Sequence, residues 1–294
     1  MSALNRIEMV TVACAEPGAV AHAYQRYLHY QQVGAGQVST QLAQLWERDA
    51  LAGAPYLLLA PANAAQHFVR LVRVDADPEY RPFSVAGWSA AEILVNDVDR
   101  LAHTLAGSPF TLVGPPADLS FTDKIRACQV LGPAAEALYL TQIKGDIPGF
   151  DLPRARQTVA HCFVAILATP SLAASMAYYR TRFGVAEAPV IDARITLMSA
   201  AFDLPRDHLH RLSALTLGNP GYLLEMDELP PDRAPRPRRH ALLPPGIAMV
   251  SFNCSGRRRH NATVSLPEPP YHGRQVGFCT GPSGELLELI YGDL

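Results

Sequence analysis

The sequence predicts an α+β protein of four similar units, each a strand, a helix and then two or three strands. Curved mixed sheets carry the helices on their outer faces. Two observations support this: a strand-ending phrase that recurs along the chain, and apolar opening strands that each precede an amphipathic segment. GNPGYLLEM (218–226) and GPSGELLEL (281–289) superpose so that Gly218 falls on Gly281, Gly221 on Gly284 and Glu225 on Glu288. GPAAEALYL (132–140) puts Tyr139 at the carboxylate register, and a weaker fourth version, 56–59, puts Leu59 there. Self-similarity of this kind marks a fold assembled from repeated units.

The first unit opens with a strand at 7–13, continues into a helix near 17–30, and closes with strands at 55–59 and 67–74. The second opens at 90–95, runs through a helix at 98–105 and ends in strands at 125–130 and 137–142. Residues 144–157, rich in Gly, Pro and charge, form the expected inter-domain linker. The third opens at 158–166, has a helix at 171–183 stopped by Gly184 as a C-terminal cap, and continues in strands at 193–201, 212–217 and 222–228. A Pro/Arg linker at 229–245 precedes the fourth, which opens at 247–252, has a short or missing helix, and ends in strands at 275–279 and 285–291. Pairing by halves predicts an N-terminal domain over 1–146 and a C-terminal domain over 155–294.

A chain of 294 residues suits two domains of roughly 150 each. With 49% apolar residues, 18% charged residues and a net charge of −2, disorder and general polyanion binding are poor expectations. Nucleic acid is therefore not an expected partner. No apolar run approaches the roughly 20 residues that span a bilayer, and the N-terminal residues lack a secretion pattern. Five cysteines without CxxC spacing read as free thiols in a cytoplasmic protein.

Alternate residues of a strand share a face, so Glu288 lies with Leu286 and Ile290 while Leu287 and Leu289 take the other face. A carboxylate enclosed in this way needs a metal, a cationic partner, strong hydrogen bonds or a proton. The same holds for Glu225 beside Leu223 and, more weakly, for His161. Aligning the opening strands gives the column Met9, Glu92, His161, Met249; the closing strands give Leu59, Tyr139, Glu225, Glu288. Met9 and Met249 read as core fillers, Tyr139 as packing, Glu92 as a structural or solvent-facing residue, and His208 and His210 as loop or edge-strand residues. No phosphate-binding Gly loop, GxSxG or HExxH is present.

These features together resemble the vicinal oxygen chelate superfamily, which includes glyoxalase I, bleomycin-resistance proteins and type I extradiol dioxygenases. The resemblance implies βαβββ units paired into two cup-shaped domains, with a divalent metal on a cup floor. Carried onto this chain, it implies metal ligands at His161, Glu225 and Glu288, in the C-terminal domain, while the N-terminal domain is degenerate. The second histidine of a dioxygenase falls at Met249. The oxygen-rich set suits Mg²⁺, Mn²⁺, Zn²⁺ or Fe²⁺. Glu288, His272 and Tyr271 are the candidate catalytic residues, the latter two because 271–274 corresponds to a stretch facing the cup opening. The expected function is metal-dependent lyase or isomerase chemistry through an enolate on a small carbonyl, enol or phenolic compound. The alternatives are extradiol ring cleavage and metal-free small-molecule binding of the resistance type. Basic clusters at 236–240 and 257–260 read as solvated loop charges, with attraction of an anionic ligand as the alternative, and the chain is expected to be a monomer or homodimer.

Overall fold

The computed structural model describes residues 2–62, 66–231, 242–255 and 263–292; both basic clusters lie outside the described residues. The first quarter of the chain runs β1 (Leu4–Cys14), α1 (Pro17–Leu28), β2 (Tyr30–Gln37), α2 (Thr40–Leu45), a 3-10 turn (Asp49–Leu51), β3 (Pro55–Pro61) and β4 (Phe68–Arg73). The second runs β5 (Gly87–Val95), α3 (Val98–Leu105), β6 (Thr111–Leu112), β7 (Ala117–Leu119), β8 (Thr122–Leu131) and β9 (Ala137–Ile143). The third comprises β10 (Val159–Thr169), α4 (Leu172–Phe183), β11 (Ile191–Arg194), α5 (Thr196–Ala201), β12 (Leu209–Thr216) and β13 (Leu223–Glu228). The fourth comprises β14 (Gly246–Cys254), β15 (Thr263–Ser265), β16 (Gln275–Thr280) and β17 (Leu286–Tyr291).

Helix boundaries follow local chemistry. Pro17 opens α1 at a position where its missing N–H costs nothing. Asp97 and Ser171 cap α3 and α4 by accepting from Arg100 N and Ala174 N. Gly184, at φ 66°, closes α4 as the sequence predicts. The expected strand over 193–201 is instead β11 followed by α5, whose Leu197 and Met198 are buried. A short apolar run does not discriminate strand from helix.

Two curled mixed sheets result, and both draw on the two halves of the chain. One has the order β15-β16-β17-β14-β1-β4-β3-β2; the other is β11-β12-β13-β10-β5-β9-β8-β6, with β7 on β8. The first and fourth quarters thus form one cup, here the outer cup, and the second and third form the inner cup. This departs from the expected domains 1–146 and 155–294. The seams are antiparallel pairs of opening strands, β1 with β14 and β5 with β10. All four opening strands are apolar, so their sequences do not specify which two join. The segment 144–157 is consequently a connection inside the inner cup, and its Ile147, Leu152 and Ala155 pack on that cup's core.

One large core joins the two sheets and the helices α1, α3 and α4, and each cup has its own inner core. All five cysteines are free and buried. Trp88 of β5 ties the sheets together by donating to Leu286 O at 2.7 Å.

The recurrent phrase has a local cause. In the turns at 132–136 and 281–285, the carboxylates of Glu136 and Glu285 fold back to accept from Ala134 N and Ser283 N, each at 2.8 Å. Each also accepts from a helix tyrosine: Tyr24 of α1 at 3.0 Å and Tyr179 of α4 at 3.1 Å. A Cβ at Gly132 or Gly281 would overlap these carboxylates, so the turn requires glycine. Burial pushes both carboxyls up to about 7, against the lowering effect of their hydrogen bonds.

Candidate functional site

The parallel ladders fix which residues face one another inside each cup. In the outer cup Thr11 pairs with Arg70 and Ser251 with Glu288. In the inner cup Glu92 pairs with Tyr139 and Ile166 with Glu225. The structural column of opening-strand positions is therefore Thr11, Glu92, Ile166 and Ser251, and the closing column is Arg70, Tyr139, Glu225 and Glu288. Met9 and Met249 sit one same-face step away, opposite Ser251 and Thr11 respectively. Leu59 leaves the column because β4, not β3, is the strand beside β1.

The outer cup is filled. Glu288 is 0% exposed and Arg70 1%. Glu288 accepts from Trp46 Nε1 at 2.9 Å, Tyr271 Oη at 2.8 Å and Ser251 Oγ at 2.7 Å. Arg70 Nη2 stands 3.4 Å from it. The guanidinium also donates to Thr11 Oγ1 at 2.9 and 3.1 Å and to Tyr271 Oη, and it lies 4.5 Å from the Trp46 ring centroid. Trp46, just past α2, plugs the cup together with Leu42 and Tyr271. Glu288 thus has the cationic partner its burial demands, supplied by the chain itself.

The inner cup is built differently. Glu92, Tyr139 and Glu225 each keep some accessible surface, whereas Asp227, two residues beyond Glu225 on the same face, is 0% exposed. Small side chains at Ala90, Ala137, Ala160 and Ala168 line this concave face, and α5 covers part of it with Leu197 and Met198. Thr141 Oγ1 donates to Glu92 at 2.5 Å. Apart from the carboxyl of Glu225, no N–H or hydroxyl group of the described residues donates to either oxygen of Asp227. No ion pair among the described residues reaches Glu92, Glu225 or Asp227. Burial, then the charge of Glu225, pushes Glu92 up to about 8. Asp227 rises to about 8 by burial, and Glu225 is held well above the carboxylate range by burial and by Asp227. Glu225 therefore carries a proton that it shares with Asp227.

The sequence-predicted ligands His161, Glu225 and Glu288 are not brought together. Glu288 is in the outer cup and Glu225 in the inner one. The ladder between β10 and β13 begins at Val164 and seats Ile166 against Glu225, so His161 lies before it. It stacks instead on His67, with ring centroids 4.3 Å apart, and on Tyr222, at the seam between the sheets. His67 is fixed by Ile7 O and by Tyr222 Oη, each at 3.1 Å. Tyr271 does meet Glu288, but within the filled outer cup, and His272 is exposed. Burial lowers His67 to about 3 and His161 to about 4. A group with a lowered folded pKa binds fewer protons folded than unfolded, so stability falls as pH drops below about 6.5. His67→Gln with His161→Gln should remove this contribution, so that the variant's melting temperature gains on that of wild type as pH falls from 7 to 4.

Arg70, Trp46 and Asp227 were not singled out by the sequence reading. Arg70, an isolated charge in the apolar run Phe68–Val72, obeys the same enclosed-charge argument as Glu288. Asp227 follows from alternation beyond Glu225. His210, expected at a loop or edge strand, is buried in β12 and 2.9 Å from Ser199 Oγ.

No family model and no curated protein matches the chain. Solved structures do match its shape. Glyoxalase I from Zea mays superposes with a TM-score of 0.61 over 97% of this chain and 92% of its own, at 11% identity. A putative dioxygenase from Bacillus subtilis subsp. subtilis str. 168 superposes with a TM-score of 0.58 over 99% and 86%, at 10% identity. The chain has the vicinal oxygen chelate fold: paired βαβββ units forming two cup-shaped mixed sheets. At these identities the likeness concerns the fold.

Proposed function

We propose that the chain is an enzyme acting on a small oxygenated organic compound in the inner cup, by proton transfer between Glu92, Glu225 and the substrate. The observation that carries this is a set of interacting carboxyls on one partly accessible concave face with no basic side chain among the described residues paired to them. Thr141 donates to Glu92 and favours its ionised form, so Glu92 is the base. Glu225 stays protonated and is the hydrogen-bond donor. Glu92 removes a proton from the carbon beside a carbonyl, and the Glu225 hydroxyl donates to the oxygen on which enolate charge develops. Return of the proton to another carbon gives isomerisation; departure of a β-substituent gives a lyase reaction. This keeps the expected enolate chemistry and moves it from the 155–294 half to the inner cup.

A resident Mn²⁺, Mg²⁺, Zn²⁺ or Fe²⁺ fits these residues less well. The oxygen donors suit a hard cation, but among the described residues no three His, Cys, Asp or Glu side chains converge to hold one. No step is therefore routed through a metal. Extradiol cleavage is disfavoured too, because neither cup has a histidine in its four ladder positions.

The test is hydrogen–deuterium exchange at carbon in D₂O, followed by NMR across a panel of ketones, hydroxyketones and keto acids. Wild-type protein should exchange at least one class, and Glu92→Gln should slow that exchange by about 10²–10⁴-fold. A Glu92→Gln protein exchanging at the wild-type rate contradicts the assignment.

A further inference from the structure

The two cups share strand order and ladder positions, yet they treat buried carboxylates in opposite ways. In the outer cup the carboxylate of the fourth closing strand, Glu288, faces the guanidinium of the first, Arg70. That planar cation is held by a carboxylate, two hydroxyls (Thr11 and Tyr271) and an aromatic face, Trp46. The outer cup thus shows what this architecture does with an organic cation. In the inner cup the closing position that corresponds to Arg70 is Tyr139, opposite Glu225. The groups gathered there match those around the guanidinium: carboxyls at Glu92, Glu225 and Asp227, hydroxyls at Thr141 and Tyr139, and an aromatic pair, Tyr139 and Phe83, with centroids 6.5 Å apart. Asp227 is fully buried on this face, and among the described residues its oxygens meet no cation and no N–H donor, only the carboxyl proton shared with Glu225.

We infer that the inner cup binds a small organic cation, a ligand carrying an amidinium, guanidinium or ammonium group, in the place that corresponds to the Arg70 side chain of the outer cup. The inference rests on the inner cup being the functional site and names the substrate class of that site. The cation ionises one of the three carboxyls on binding, releasing one proton, and pairs with Asp227 and the Glu92 side of the cup. Glu225 keeps its proton for donation to the substrate oxygen. A planar cation would stack on Tyr139 as Arg70 does on Trp46. This ligand is opposite in charge to the anionic one that the basic clusters at 236–240 and 257–260 suggest; those clusters lie outside the described residues.

Isothermal titration with benzamidine, its neutral isostere benzamide and the anion benzoate tests this directly. Benzamidine should bind at least about tenfold more tightly than benzamide, a difference of about 1.4 kcal/mol, and benzoate should not bind. Asp227→Asn and Glu92→Gln should each weaken benzamidine binding by about tenfold or more. Should Asp227→Asn fail to fold, Glu92→Gln decides. Equal binding of benzamidine and benzamide, or benzamidine affinity unchanged in the folded variants, overturns the inference. If benzamidine is not preferred but Glu92→Gln still abolishes carbon exchange, the cation inference alone fails. If benzamidine is preferred but exchange ignores Glu92, the proposed chemistry alone fails.

Discussion

Glu288→Ala should destabilise the protein by about 3–5 kcal/mol, the usual effect of removing one partner of a buried ion pair. The loss leaves Arg70 with its charge buried, and it also strips a hydrogen-bond acceptor from Trp46, Tyr271 and Ser251. Urea denaturation measures this as a lower midpoint at unchanged slope. The double variant Arg70→Met/Glu288→Leu should recover most of the stability, because apolar side chains of similar volume remove both charges together. A Glu288→Ala protein within about 0.5 kcal/mol of wild type, the range of surface substitutions, would mean that Glu288 is not held by this network. The outer cup would then be open to the ligand role that the sequence suggested.

The opposite outcome is expected in the inner cup. Neutralising Glu225 and Asp227 as Gln and Asn should stabilise the protein by about 1–3 kcal/mol at pH 9, while abolishing its chemistry. A carboxyl with a raised folded pKa holds its proton in the folded state, so its favourable contribution is complete below the unfolded pKa. That contribution is lost as pH rises through the folded value. Glu92 and Asp227, at about 8, place the loss between about pH 4 and 8. The groups facing them are Glu225 on the same strand as Asp227, Tyr139 and Thr141 on β9, and His210 on β12, which is bonded to Ser199. Glu136 and Glu285, at about 7, add to the same slope from the two turns. The seam histidines act in the other direction below about pH 6.5, but five raised carboxyls outnumber two lowered imidazoles, so stability should decline across about pH 5–8. Melting temperatures of wild type and the double variant across pH 5–9 decide this; parallel curves count against uncompensated carboxyls.

Much of the architecture was legible in the sequence because it rests on local signals. The phrases around Gly281 and Gly132 recur because a folded-back carboxylate demands glycine there, and Gly184 ends α4 where its left-handed backbone is needed. Partner choice was not legible. Nothing in the apolar sequence of β1 distinguishes β14 from β5 as a neighbour, so the halves were paired by proximity along the chain. The site was half legible for a related reason. Alternation correctly marked Glu225 and Glu288 as enclosed, and the closing register held at Tyr139, Glu225 and Glu288. It failed at Leu59 because an extra strand intervenes, hiding Arg70. The opening register failed at His161 because the ladder with β13 begins only at Val164 and seats Ile166 against Glu225. With the cups regrouped, the two glutamates that seemed to share a site belong to different ones, and Glu92, read as structural, joins Glu225.

The central claim is that the inner cup holds interacting carboxyls that keep protons near neutral pH, while the outer cup neutralises its carboxylate with Arg70. Carboxyl ¹³C NMR of wild-type protein, titrated from pH 3 to 10 and assigned with Glu92→Gln, Glu225→Gln and Asp227→Asn, tests it most directly. The account predicts that Glu92 and Asp227 titrate near 8 with mutually dependent curves, that Glu225 titrates higher, and that each substitution shifts the remaining two. Three independent titrations near pH 4 would contradict it.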